Sequence, residues 1–175
     1  MLTKRDNIDT FIKELKEPEE FPGFLLWQAS NIWYRNMKNT LKKFGTTFTQ
    51  FTILMSLIYL SKQNLDINQK QIARHAKLDI MMTSDVLKTL VSKKLVTRCQ
   101  NPNDRRHNSM KITQEGVNLI IKIFEHVNQA DMNFFKVLEK NIESLTEPLE
   151  KLIRANYDNI YIGAEEPSSV RQVGH

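Results

Sequence analysis

The chain has 175 residues, 41% hydrophobic and 26% charged, which suits one folded domain, alone or with an appended element, built on an ordinary soluble core. Its net charge of +5 is unevenly spread: residues 21–114 carry 15 Lys and Arg against 4 Asp and no Glu, a net of +11, and the flanks are net −6. One cysteine, Cys99, excludes an internal disulfide framework, and no apolar run approaches the roughly 20 residues that span a bilayer.

The polar start, Met1 to Asp6, is unlike a signal peptide, so no membrane partner is expected and a reducing, cytoplasmic setting fits. Asp6 is positioned to cap a short amphipathic helix carrying Ile8, Phe11, Ile12 and Leu15, which ends before Pro18. After Phe21-Pro22-Gly23, apolar residues at Leu26, Ala29, Trp33, Met37 and Leu41 recur near a helical period from Phe24 to Phe44, and Gly45 ends that helix. Thr47-Phe48-Thr49-Gln50 reads as a cap before a helix from Gln50 to Leu60, apolar on several sides and therefore buried. Asn68 caps a short helix, Gln69 to Ala76, with Ile72, Ala73 and Ala76 inward.

Leu78-Asp79 then leads into a helix from Ile80 to about Lys94. At 100° per residue, Ile80, Thr83, Leu87, Leu90 and Val91 share one face, while Met81, Met82, Asp85, Lys88, Thr89 and Ser92 share the other. Two helices joined by about three residues form a helix-turn-helix. Two short alternating runs, Leu95 to Cys99 and Ser109 to Ile112, flank the turn-rich Asn101-Pro102-Asn103-Asp104 and predict a hairpin. Thr113-Gln114-Glu115 caps a long helix from about Gly116 to Glu139. A last amphipathic helix, Ile142 to Tyr157, contains Pro148, where a kink or a later start is expected. The polar residues 163–175 predict a disordered tail.

A basic middle between acidic flanks fits either a polyanion-facing surface or a solvated basic face. Arg105 and Arg106 at the hairpin tip can reach a phosphate or the minor groove, and Asp104 can hold an arginine fork in place; the alternative is a surface ion pair of little consequence. On the helix from Ile80, Lys88 suits a phosphate or guanine, Ser84 and Thr89 can donate to phosphate, and Asp85 can accept from a cytosine amino group. Met81 and Met82 fit thymine methyls or packing on the neighbouring helix. Gln69, Lys70, Arg74 and Lys77 are candidates for backbone contact or simply a solvated face. Trp27, Trp33, Tyr34, Phe44, Phe48 and Phe51 crowd the region where the first helices meet this lobe, as core or as a pocket, with Arg35 and Lys38 as counter-charges.

Cys99 reads as a small buried strand residue, with a redox sensor as the alternative. The four histidines are scattered and form no zinc spacing. The five glycines stand singly, and neither a nucleophile elbow nor a His-Glu-x-x-His motif is present, so neither an enzyme nor a cofactor is expected.

The stretch Asn101-Pro102-Asn103-Asp104-Arg105-Arg106, continued by Met110-Lys111-Ile112-Thr113-Gln114-Glu115-Gly116, resembles the wing signature of the MarR (multiple antibiotic resistance regulator) family. That signature is an Asp-x-Arg turn, matched by Asp104 and Arg106, and an apolar-x-apolar-Thr-x-x-Gly junction. Met81-Met82-Thr83-Ser84, Leu90 and Lys94-Leu95-Val96-Thr97-Arg98 resemble the recognition helix and its exit, and the resemblance spans residues 24–158. Two residues depart from the pattern: Lys94, where the family usually has glycine, and Asp85, an acid on the DNA-facing side.

The resemblance implies a mainly α fold with a small β-wing, a winged helix-turn-helix with N- and C-terminal dimerisation helices. Residues 1–22 would form an extension, 24–60 and 116–158 the dimerisation region, and 62–113 the DNA-binding lobe. It implies a homodimer on a pseudo-palindromic site in double-stranded DNA, repression by default, and release by a small aromatic or lipophilic effector near Trp27, Trp33, Tyr34, Phe48 and Phe51. A winged-helix protein-interaction module, and a regulator without an effector, are the rival readings.

Overall fold

The computed structural model describes residues 4–15, 17–63, 66–101 and 104–161, with the side chains of residues 4–7, 9, 19, 100–108 and 157–161 outside the description. The tail beyond Gly163 and the turn residues Pro102 and Asn103 therefore lie outside the described residues. The order is α1 (Lys4–Glu14), α2 (Pro22–Lys42), α3 (Phe48–Ser61), α4 (Gln69–Ala76), α5 (Ile80–Ser92), β1 (Val96–Asn101), β2 (Asp104–Ile112), α6 (Gln114–Phe135) and α7 (Ile142–Tyr161). Short 3-10 turns occupy Pro18–Glu20 and Lys136–Asn141.

The hydrophobic centre forms around α3, whose Ile53, Leu54 and Leu57 are fully buried with Ile72 of α4, Leu87 and Leu90 of α5, Val96 of β1 and Met110 of β2. Burying each such side chain contributes roughly 1.5–3 kcal/mol. Helix starts are fixed locally. Thr47 and Gln50 form a reciprocal capping box on α3, and Asn68 and Gln71 form one on α4. β1 and β2 pair antiparallel, with Val96 opposite Ile112 and Gln100 opposite Asn108. Met110 N–H also donates to the Ile67 carbonyl at 2.7 Å, joining the sheet to the segment that enters α4.

Several expected boundaries move. Asp6 lies inside α1, which begins at Lys4, so it is not the cap. α5 stops at Ser92 because Lys94 turns left-handed at φ 59°. β2 begins at Asp104, five residues before the expected start, so Arg105 and Arg106 belong to strand backbone rather than loop. The register jumps from Gln100 opposite Asn108 to Asn101 opposite Asp104, which puts residues 105–107 in a bulge. α6 gives way at Phe135 to a turn in which Glu139 has φ 46°, a conformation that breaks the helix expected to reach Glu139. α7 starts at Ile142 and contains Pro148, on a mostly exposed helix where water can satisfy the carbonyl that loses its donor.

Candidate DNA interface

The turn between α4 and α5 is Lys77-Leu78-Asp79. It opens with a Schellman motif: Leu78 N–H donates to the Ala73 carbonyl at 3.0 Å and Lys77 N–H to the Arg74 carbonyl at 3.3 Å, with Lys77 left-handed at φ 55°. It closes on Asp79, whose carboxylate accepts from the N–H groups of Met81 and Met82 at 2.8 and 2.9 Å. Gln69 Nε2 donates to the Ile80 carbonyl at 3.2 Å, so the first residue of α4 holds the first residue of α5. Gln69 is therefore engaged within the fold, whereas Lys70, Arg74 and Lys77 are exposed.

The buried face of α5 is Thr83, Leu87 and Leu90; Ile80 and Val91, expected on the same face, lie at the two ends of the helix and are 42% and 37% exposed. On its outer face Met81 is 75% exposed and Met82 48% exposed, so Met81 is the more open of the two to an outside partner. Ser84 is half-buried, and the Thr89 hydroxyl donates to the Asp85 carbonyl at 3.1 Å. Lys88 Nζ lies 2.8 Å from Asp85 Oδ1, an ion pair with both side chains open to solvent.

The far end of α5 is also held. Lys94 and Leu95 close a second Schellman motif, with Leu95 N–H donating to the Leu90 carbonyl at 3.0 Å and Lys94 N–H to the Val91 carbonyl at 2.9 Å. The Thr113 hydroxyl donates to the Lys94 carbonyl at 2.8 Å and accepts from Gly116 N–H at 3.1 Å, so one side chain locks the exit of α5 to the start of α6. Lys93 Nζ donates to the Gly45 carbonyl at 3.0 Å and to Gln50 Oε1 at 3.2 Å. This ties the recognition helix to the α2–α3 junction, a role that no local sequence signal announces. Asp79, by contrast, could have been read as a cap from its place before an apolar run.

The aromatic residues divide. Trp33 and Tyr34 both meet Phe48 edge-on, at 5.2 and 5.4 Å between ring centres, and Trp33 Nε1 donates to Asp131 of α6 at 2.8 Å. Phe51 packs against the hydrophobic core, because it lies on α3 beside Ile53 and Leu54. Trp27 stacks on Phe24 at 5.8 Å and, with Tyr34, Arg35 and Lys38, lines an open groove along α2. The five expected pocket aromatics thus do not line one cavity. Cys99 is half-buried on β1 opposite Ser109, less enclosed than its strand position suggested.

The family description "MarR family" matches residues 46–107. The uncharacterized HTH-type transcriptional regulator YdcH of Bacillus subtilis (strain 168) is 33% identical over 137 residues, covering 78% of this chain and 92% of that protein. Among solved structures, a mutant of MarR from E. coli complexed with operator DNA has a TM-score of 0.68 at 25% identity, covering 77% of this chain and 96% of that one. BpsR of Bordetella bronchiseptica, whose DNA binding is regulated by 6-hydroxynicotinic acid, has a TM-score of 0.70 at 20% identity, over 79% and 96% of the two chains. Among the described residues no helix is long and apolar enough to cross a membrane. A helix-turn-helix capped at both ends, a two-stranded wing and a relative matched almost end to end make this chain a member of the MarR family of DNA-binding transcriptional regulators.

Proposed function

We propose that two copies of the chain bind a pseudo-palindromic operator, each placing α5 in a major groove, and that binding represses transcription. The observation that carries this reading is the outer face of α5: Met81, Asp85 and Lys88 stand exposed on a helix fixed at both ends, within a stretch of net charge +11 that has no glutamate. Ser84 and Thr89 flank that stripe. Lys70, Arg74 and Lys77 serve phosphates, Gln69 positions α5, and Arg105 and Arg106 serve a phosphate or the minor groove beside Asp104.

The groove of Trp27, Tyr34, Arg35 and Lys38 combines aromatic faces with two cations and supports an aromatic anion as effector, the chemical class named for BpsR. Such a ligand would act by changing the separation of the two recognition helices.

Duplexes selected from a random pool, and scrambled controls, test the division of labour in binding titrations at several salt concentrations. Phosphate contacts give affinity with little base information. Arg106→Ala is therefore expected to weaken selected and scrambled duplex by similar factors and to lower the salt slope by about one counterion. A variant that loses only the selected duplex would reverse the role given to Arg106. Equal, salt-insensitive binding of both duplexes by the unaltered protein would remove the operator reading itself.

A further inference from the structure

Residues 21–114 contain four acids, all aspartates. Asp79 caps α5, Asp66 precedes α4 and Asp104 starts β2. Asp85 has no comparable local task. It is the sixth residue of α5, beyond the first turn where an acid would favour the helix dipole, and its side chain is 75% exposed. The described bonds to its side chain reduce to Lys88, since Thr89 engages its backbone carbonyl. A carboxylate here repels every phosphate, so it lowers affinity for DNA at large. An exposed ion pair adds little stability to set against that loss.

We propose that the Asp85–Lys88 ion pair acts as one unit that reads a single C·G base pair in the major groove, carboxylate on the cytosine amine and ammonium on the guanine. The inference rests on α5 entering the groove. Its geometric basis is an acceptor and a donor set side by side, 2.8 Å apart, on the face that also carries Met81 one turn earlier.

Lys88 uses Oδ1 of Asp85, which leaves Oδ2 to accept from cytosine N4. The ammonium keeps donors for guanine O6 and N7. Every other pair presents a mismatch. With A·T in the same orientation, adenine N7 repels the carboxylate and the thymine methyl blocks the ammonium. With either pair reversed, at least one of the two charged groups meets a group of its own kind or an apolar methyl. The charge that weakens general binding thus penalises wrong sequences more than the right one.

Selection from a randomised duplex library, followed by sequencing, is the test, with wild type, Asp85→Ala, Lys88→Ala and Asp85→Asn run in parallel. Wild type is expected to enrich a motif with one C·G pair of fixed orientation in each half-site, preferred roughly tenfold to hundredfold over the alternatives. Asp85→Ala and Lys88→Ala should each erase the preference at that position and leave the rest of the motif in place. Asp85→Asn, which keeps the shape of an exposed side chain, should move the preference toward A·T, because an amide accepts from adenine N6 and donates to N7. Should the alanine variants fail to melt cooperatively, Asp85→Asn alone decides. A motif unchanged in the Asp85 variants, or changed only at other positions, overturns the proposal and leaves the operator reading standing. If wild type binds duplex but enriches no motif, both fall together.

Discussion

Gly116 stands where α6 crosses the exit of the recognition helix. A β-carbon there would press into the Leu95 carbonyl oxygen and come within 2.7 Å of Ile112 Cγ1. The backbone oxygen cannot move without disturbing the Thr113 bridge beside it. Gly116→Ala should therefore cost about 1–3 kcal/mol, read from urea denaturation. Lys94 is the opposite case. It holds φ 59° at the left-handed position of a Schellman motif, where Gly45 holds φ 63° after α2. The left-handed state strains a side chain by about 1–2 kcal/mol, and glycine's greater freedom when unfolded returns part of that. Lys94→Gly should thus raise stability by roughly 0.5–1 kcal/mol in the same assay. A loss of stability would mean that the lysine side chain has a compensating contact.

At the scale of the element, α5 is held by four different residues. Asp79 and Gln69 fix its start, and Lys93 and Thr113 fix its end. Removing the cap by Asp79→Ala leaves the Met81 and Met82 N–H groups without their acceptor and should cost about 1 kcal/mol of stability. The first turn carries Met81 and Met82, so fraying there should also weaken binding to a selected duplex more than to a scrambled one. Stability and binding measured on the same preparation check both effects. An unchanged selectivity would show that the first turn does not meet bases. The Lys93 tie extends the argument outward, because any shift at the Gly45 turn is passed to the recognition helix through one ammonium group.

The whole molecule leaves large apolar side chains uncovered on its terminal helices. Phe11 and Ile12 of α1, Leu26 and Trp27 of α2, Ile121 and Phe124 of α6, and Leu152 and Ile153 of α7 are each about half exposed or more. Patches of this extent normally mark an interface. The chain is expected to run at twice its 20.5 kDa by light scattering at micromolar concentration, and Leu152→Glu is expected to shift it toward the monomer. A monomeric mass with the fold intact would remove the dimer from the functional reading. On α6, Ile120 is 5% exposed and closes the chain's own core, and Val117 is half-buried, so Ile121 and Phe124 are the side chains of that helix left to a partner.

The helix-turn-helix, the wing and the middle of the inward face of α5 were legible in the sequence, because caps, turns and helical periods act over a few residues; Ile80 and Val91, at the ends of that face, are exposed instead. Thr47, Asn68 and Thr113 each cap the helix they precede, and Thr83, Leu87 and Leu90 are buried together. Asp85 and Lys88 were placed on the right face, but their pairing was not visible. Tertiary structure alone decided which apolar faces were left over and which polar groups met. Phe51 was claimed by the core once α3 packed among α4, α5 and β2. The hydrogen bond from Trp33 to Asp131 joins residues 98 apart, and the one from Lys93 to Gly45 joins residues 48 apart. Burial depends on what the rest of the chain brings alongside, so a residue's own neighbours in sequence cannot specify it.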